Sequence, residues 1–361
     1  MSRGRPYVRP LDLKRGCVDL SHGAGGRAMQ QLIDELFVPA FAGGTAVARG
    51  DDGAVLPELA YGERAVIATD SHVVSPLFFP GGDIGSLSVH GTVNDLAMMG
   101  ARPLYLSAGF VLEEGFGLGE LARIVASMGR AARAAGVQIV TGDTKVVEQG
   151  KGDGVFITTT GFGALPAGRA LSGAHARPGD RILLSGSIGD HGMAIMSLRE
   201  SLAFETEIVS DSAALHDLVA ALLAAVPSSS ELADPARGLR LLRDPTRGGL
   251  ASTLNEIALQ SGVGIELDET AIPVRPQVAA ACEFLGLDPL YVANEGKLVA
   301  VCAAADTDRA LAALRAHPLG ADAAIIGEIT DDPQHFVQMR TGFGGRRNVD
   351  WLSGEQLPRI C

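Results

Sequence analysis

Short apolar runs and amphipathic stretches alternate along the first half of the chain. Residues 65–69 form an apolar run ending in Asp70-Ser71, which predicts a strand that delivers a carboxylate to its mouth. Residues 84–99 have helical spacing and stop at Gly100 and Pro103. A strand is expected over 104–112, then a helix over 119–135 closed by Gly136. A further strand over 137–141 runs into an expected turn at Gly142-Asp143-Thr144, and another covers 155–163. After a boundary near 166–178, the turn Arg177-Pro178-Gly179-Asp180 opens a second half in the same style. There the pattern predicts strands over 181–185, 264–267 and 298–302, and helices over 192–201, 215–225, 249–261 and 308–316. From Arg340 onward periodicity is lost, and the segment reads as extended or mobile.

Length and charge narrow this picture. A chain of 361 residues is too long for one ordinary core, and 47% hydrophobic content is ample for globular folding. The expected division is a basic flexible arm over 1–17, an N-terminal domain over 18–166, a C-terminal α/β domain over 167–340 and a tail over 341–361. A net charge of -12 argues against nucleic acid or a membrane surface as partner. Arg3, Arg5, Arg9, Lys14 and Arg15 run the other way, but without the apolar segment of a secretory signal. No apolar run reaches membrane-spanning length, so a soluble, cytoplasmic protein is expected. Cys17, Cys282, Cys302 and Cys361 form no CxxC pair and no zinc-finger spacing.

Candidate chemistry gathers at the predicted strand ends. Asp51-Asp52, Asp70, Asp95 and Asp143 each sit beside small residues. A single Asp next to Gly is commonly a turn residue. Four such sites in one half suggest instead a set neutralised by Mg²⁺, which takes oxygen ligands and bridges to substrate phosphates. Ser21-His22-Gly23-Ala24-Gly25-Gly26-Arg27 opens into a helical stretch, and so does Arg243-Asp244-Pro245-Thr246-Arg247-Gly248-Gly249. Glycines before a helix let backbone N–H groups approach an anion. Together these point to a nucleotide triphosphate with Mg²⁺. Lys145 is either a solvated lysine or a group reaching a phosphate; Glu295 is either solvated or, in a cleft, a general base. Cys361 ends the chain, where a structural thiol has little to pack against, so it suggests a group carried on sulfur.

The motifs Ser21–Arg27, Asp51–Val55, Val93–Gly100, Gly142–Lys145, Arg243–Ala251 and Asn294–Lys297, with the ending Pro358-Arg359-Ile360-Cys361, resemble those of the HypE family of hydrogenase maturation proteins. The resemblance implies an α+β protein with the two-domain aminoimidazole ribonucleotide synthetase (PurM)-like fold. Its N-terminal sheet domain pairs across a homodimer, and its C-terminal domain is an α/β sandwich. It implies that a partner, HypF, loads a carbamoyl group on Cys361, and that ATP then drives dehydration of the S-carboxamide to a thiocyanate. The cyanide passes to iron on a HypC–HypD complex. Cys361, Lys145 and Glu295 are then the catalytic candidates. Gly25, Gly26, Asp51, Asp70, Asp95, Asp143, Thr144, Asp244, Thr246, Gly248 and Gly249 are the ATP-binding candidates, and Asp52, Asp70, Asp95 and Asp143 the Mg²⁺ ligands. The alternatives are another ATP-dependent synthetase or kinase of the superfamily, or a non-enzymatic thiol carrier.

Overall fold

The computed structural model describes residues 10–23, 27–41, 56–200, 207–352 and 359–361. Gly25, Gly26, Asp51 and Asp52, named above as candidates, lie outside these residues. The first sheet holds four strands: β1 (Arg64–His72), β2 (Arg102–Glu113), β3 (Gln138–Val147) and β4 (Val155–Leu165), in the order β1-β4-β2-β3. Helices α1 (Ile84–Met98) and α2 (Leu118–Ala134) bury one face of this sheet. The start of α1 is set locally. Asp83 Oδ1 accepts the N–H groups of Gly85 and Ser86 at 2.8 and 3.1 Å, and Ser86 Oγ accepts the Asp83 N–H. Such a capping box is typically worth about 1 kcal/mol. Gly100, at φ +75°, ends the helix where the periodicity does.

The expected turn at Gly142-Asp143-Thr144 is instead the middle of β3, which runs parallel to β2 from Gln138 to Val147. The reason is non-local. A Cβ at Gly142 would meet the Ala108 carbonyl oxygen at 2.3 Å, so glycine serves here for close strand approach rather than for turning.

The second half carries a seven-stranded sheet. Its strands are β5 (Arg181–Leu184), β6 (Leu239–Arg243), β7 (Gly264–Asp268), β8 (Val299–Cys302), β9 (Ala324–Thr330), β10 (Val337–Arg340) and β11 (Arg346–Asn348), in the order β11-β10-β7-β9-β5-β8-β6. Helices α3 (Asp190–Arg199), α4 (His216–Ala225), α5 (Gly249–Ser261), α6 (Pro276–Leu285) and α7 (Thr307–Arg315) accompany it. The polar stretch after Arg340 is extended where it forms β11, which pairs with β10 as a hairpin. Ion pairs of Arg346 with Glu266 (2.9 Å) and Arg347 with Asp288 (2.7 Å) tie it down, a signal that apolar alternation does not carry. The halves share a core: Ala97 and Met98 of α1 pack in one apolar cluster with Leu183, Leu215 and Leu298.

Candidate active site

Four carboxyl groups from four elements face one region where the halves meet. Asp70 lies two residues before the end of β1 at His72, Asp95 lies on α1, Asp244 follows β6, and Glu295 sits in the loop before β8. Burial pushes Glu295 well above the usual carboxylate range, with the charges of Asp211, Asp70, Asp244 and Asp95 adding to it. Burial, then Asp244 and Asp70, raise Asp95 to about 7. Burial also lifts Asp244 to about 6. Asp70 moves the other way, because its burial is outweighed by His72, whose Nε2 lies 3.3 Å away, and by the Ser71 N–H. A set of this kind holds protons, or accepts a cation in their place.

The loop after β6 is shaped by glycine. Gly248 and Gly249 have φ of +78° and +62°, and a Cβ at Gly249 would meet the Leu290 carbonyl oxygen at 2.5 Å. The Thr246 N–H donates to the Asp244 carbonyl and the Gly249 N–H to the Thr246 carbonyl, so the turn consumes these donors itself. Asn294 links this loop to the Glu295 loop: its Nδ2 donates to the Pro245 carbonyl at 2.9 Å, and its Oδ1 accepts the Gly189 N–H at 2.7 Å.

Cys361 is carried into this region by its own backbone. The Val73 N–H donates to the Cys361 carbonyl and the Ser75 N–H to the Arg359 carbonyl, both at 3.1 Å. The Ile360 side chain, 3% exposed, joins the apolar cluster of the first half. His191 Nε2 lies 2.9 Å from the Ile360 carbonyl, which can only accept, so that nitrogen carries the proton. Arg199 donates to the carbonyls of Ser75 and Arg359, and Arg359 pairs with Asp153. The Cys361 thiol ends beside Glu295. Burial first, and the Glu295 charge next, hold it well above an ordinary thiol.

The structure therefore brings together Cys361, Glu295, Asp70, Asp95 and Asp244. It does not bring Lys145 to Glu295 within the chain: Lys145 Nζ pairs with Asp143 at 2.7 Å, with both side chains exposed on β3. Thr144 is buried between them. His72, His191, Arg199 and Asp211 belong to the site without having been singled out from sequence, and none stands in a motif that announces the role. Arg247, inside the Gly-rich loop quoted above, lies near Asp70 and Cys361. Among the described residues, no three His, Cys, Asp or Glu side chains group into a metal cage.

The AIR synthase related protein family profiles match residues 50–165 for the N-terminal domain and 177–340 for the C-terminal domain. The carbamoyl dehydratase HypE of Cupriavidus necator is 70% identical over 355 residues, covering 98% of each chain. A crystal structure of the hydrogenase maturation protein HypE in complex with ATP superposes with a TM-score of 0.86 at 50% identity, covering 95% of this chain and 99% of that one. A HypE–HypF complex matches with a TM-score of 0.75 at 48% identity, covering 89% and 99%. With its tail docked beside buried Glu295 and the half-buried Asp70, Asp95 and Asp244 on two AIR synthase related domains, the chain belongs to the HypE family of carbamoyl dehydratases.

Proposed function

We propose that this protein uses ATP to dehydrate an S-carboxamide on Cys361 to the S-cyanide. The observation that carries this reading is the Cys361 thiol held beside the buried Glu295 carboxyl. Hydroxide is a poor leaving group from an amide carbon. Phosphoryl transfer from ATP to the carboxamide oxygen makes the leaving group phosphate instead, and loss of both N–H protons completes the C≡N bond. The products are the thiocyanate, ADP and phosphate, so the oxygen leaves on phosphorus. Glu295, whose surroundings raise its proton affinity, takes a proton from the nitrogen as general base.

The related HypE structure that holds ATP supports ATP as the phosphoryl donor, and the HypE–HypF complex supports a HypF protein as the source of the carbamoyl group. Mg²⁺ takes carboxylate oxygens of this kind: Asp70 and Asp95 would hold it, and the ion would neutralise phosphate charge. Asp52 lies outside the described residues; Asp143, paired with Lys145 on the open face of β3, would serve from the other protomer. Asp244, Thr246, Gly248, Gly249 and Thr144, with Gly25, Gly26 and Asp51, complete the proposed nucleotide site. The protein acts as a homodimer in the cytoplasm and passes cyanide to a HypC–HypD complex. The open face of the first sheet, with Ile67 73% exposed, is the pairing surface. Lys145 and Asp143 stand on β3 of that sheet and serve the phosphates across the pair.

The test is a mass spectrum of the C-terminal peptide after loading and addition of Mg²⁺–ATP. Loss of one water from the carbamoylated peptide is expected. A peptide that keeps its carboxamide while ATP is consumed would refute the reading.

A further inference from the structure

Residues 209–213 run as a strap without helix or strand between the two halves, and two neighbours on it hold the two reacting partners. Asp211, its side chain buried, accepts the Glu295 N–H on Oδ1 at 3.1 Å; its Oδ2 accepts the Gly296 N–H at 3.2 Å and Lys297 Nζ at 3.0 Å. The strap lies so close that a Cβ at Gly296 would meet the Asp211 carbonyl oxygen at 1.8 Å. The Ala213 N–H donates back to the Glu295 carbonyl at 3.3 Å. One residue earlier, Ser210 Oγ lies 2.7 Å from Nδ1 of His191, whose Nε2 holds the Ile360 carbonyl next to Cys361. The strap itself is anchored on the first half: the Ser210 N–H donates to the Pro80 carbonyl at 2.9 Å, and Ser212 Oγ meets His90 Nδ1 at 2.9 Å.

We infer that Ser210 and Asp211 are positioning residues for the dehydration, aligning the Glu295 carboxyl and the tail thiol from one rigid segment. Neither touches the reacting atoms. Asp211 acts through the Glu295–Lys297 turn, and Ser210 acts through the His191 ring. A base and its substrate must be held within a fraction of an ångström for proton transfer. Hanging both from adjacent residues couples their separation to one short segment, alongside the tail's own anchors at Val73, Ser75 and Ile360. The inference rests on Glu295 acting as the base at Cys361.

The experiment uses the full chain, S-carbamoylated with cyanate in a Cys17→Ser background because Cys17 is exposed. Single-turnover dehydration is followed by mass spectrometry, and ATP affinity by calorimetry. Asp211→Asn should dehydrate slower by about tenfold or more, with ATP affinity within about threefold. In the Glu295→Gln background the same change should cost nothing further, because its path runs through Glu295. A wild-type rate for Asp211→Asn beside an inactive Glu295→Gln overturns the inference alone. So does an Asp211→Asn penalty that is equally large in both backgrounds, as a loss of general structure would give. A wild-type rate for Glu295→Gln sinks the base assignment itself. If Asp211→Asn does not fold, Ser210→Ala decides: slowing by about threefold or more at unchanged ATP affinity supports the strap, and an unchanged rate overturns it.

Discussion

The Val73 amide nitrogen lies 3.1 Å from the Cys361 carbonyl oxygen, so the last residue of the chain closes on the strand end that carries Asp70 and His72. The described end of the tail is held as backbone by Val73, Ser75, His191 and Arg199, and by its side chains at Ile360, which is buried, and Arg359, which pairs with Asp153. Recognition is thereby separate from the chemistry of the sulfur.

Ile360→Ala should weaken docking while leaving the thiol and the ATP site untouched. Truncating the buried side chain costs about 2 kcal/mol, or roughly thirtyfold in docked population. Dehydration should slow accordingly, and Cys361 should alkylate faster with iodoacetamide. Cys361→Ala should fold normally and form no cyanide. Unchanged alkylation and dehydration in Ile360→Ala would show that the socket does not hold the tail.

Glu295→Gln should bind ATP and accept carbamoylation, then accumulate the S-carboxamide. Loss of a general base typically costs ~10²–10⁴ in rate. Glu295 is buried, so a Gln of the same shape should leave the melting temperature nearly unchanged. Thiocyanate formed at the wild-type rate would remove Glu295 from the chemistry.

Asp95 gives a pH signature. Its folded value, about 7, exceeds its ordinary 3.8, so the native state binds this proton more tightly than the unfolded chain does. Its contribution to stability is therefore full below pH 3.8 and is lost as pH rises through about 7. Asp244, at about 6, adds in the same direction. Without Mg²⁺–ATP the melting temperature should fall between about pH 5 and pH 8, less so in Asp95→Asn. The same variant should lose ATP turnover. An equal fall in wild type and variant would assign the pH dependence elsewhere.

Ile67→Arg places a charge on the open face of the first sheet. Light scattering should report a dimer for the wild type and a monomer for this variant. Apolar groups desolvated in a pairing interface cannot be replaced by an unpaired cation without a large loss. A variant that remains a dimer would place the pairing surface on another face.

Local chemistry settles much of the scaffold. The helix over 249–261 is legible because Gly248 and Gly262, both at positive φ, bracket it. The run that becomes β2 is legible because its buried positions are apolar, and β4 is legible in the same way apart from buried Thr159, whereas β1 buries only His72 and is legible from its short apolar run alone. The terminal Cys361 and the acidic residues near strand ends name the chemistry by their kind. Other features depend on partners far along the chain. Gly142 looks like a turn residue until β2 lies against it, with Ala108 at the contact. Lys145, grouped with Glu295 as a catalytic candidate by the resemblance, is carried by β3 to the open face, where it pairs with Asp143. Asp70, Asp95, Asp244 and Glu295 become one set only when four elements converge, since their proton affinities arise from burial and mutual charge. His72, His191 and Asp211 carry no local mark at all. Their roles come from hydrogen bonds and charge across the domain junction, and periodicity, composition and capping report only on neighbours within a few residues.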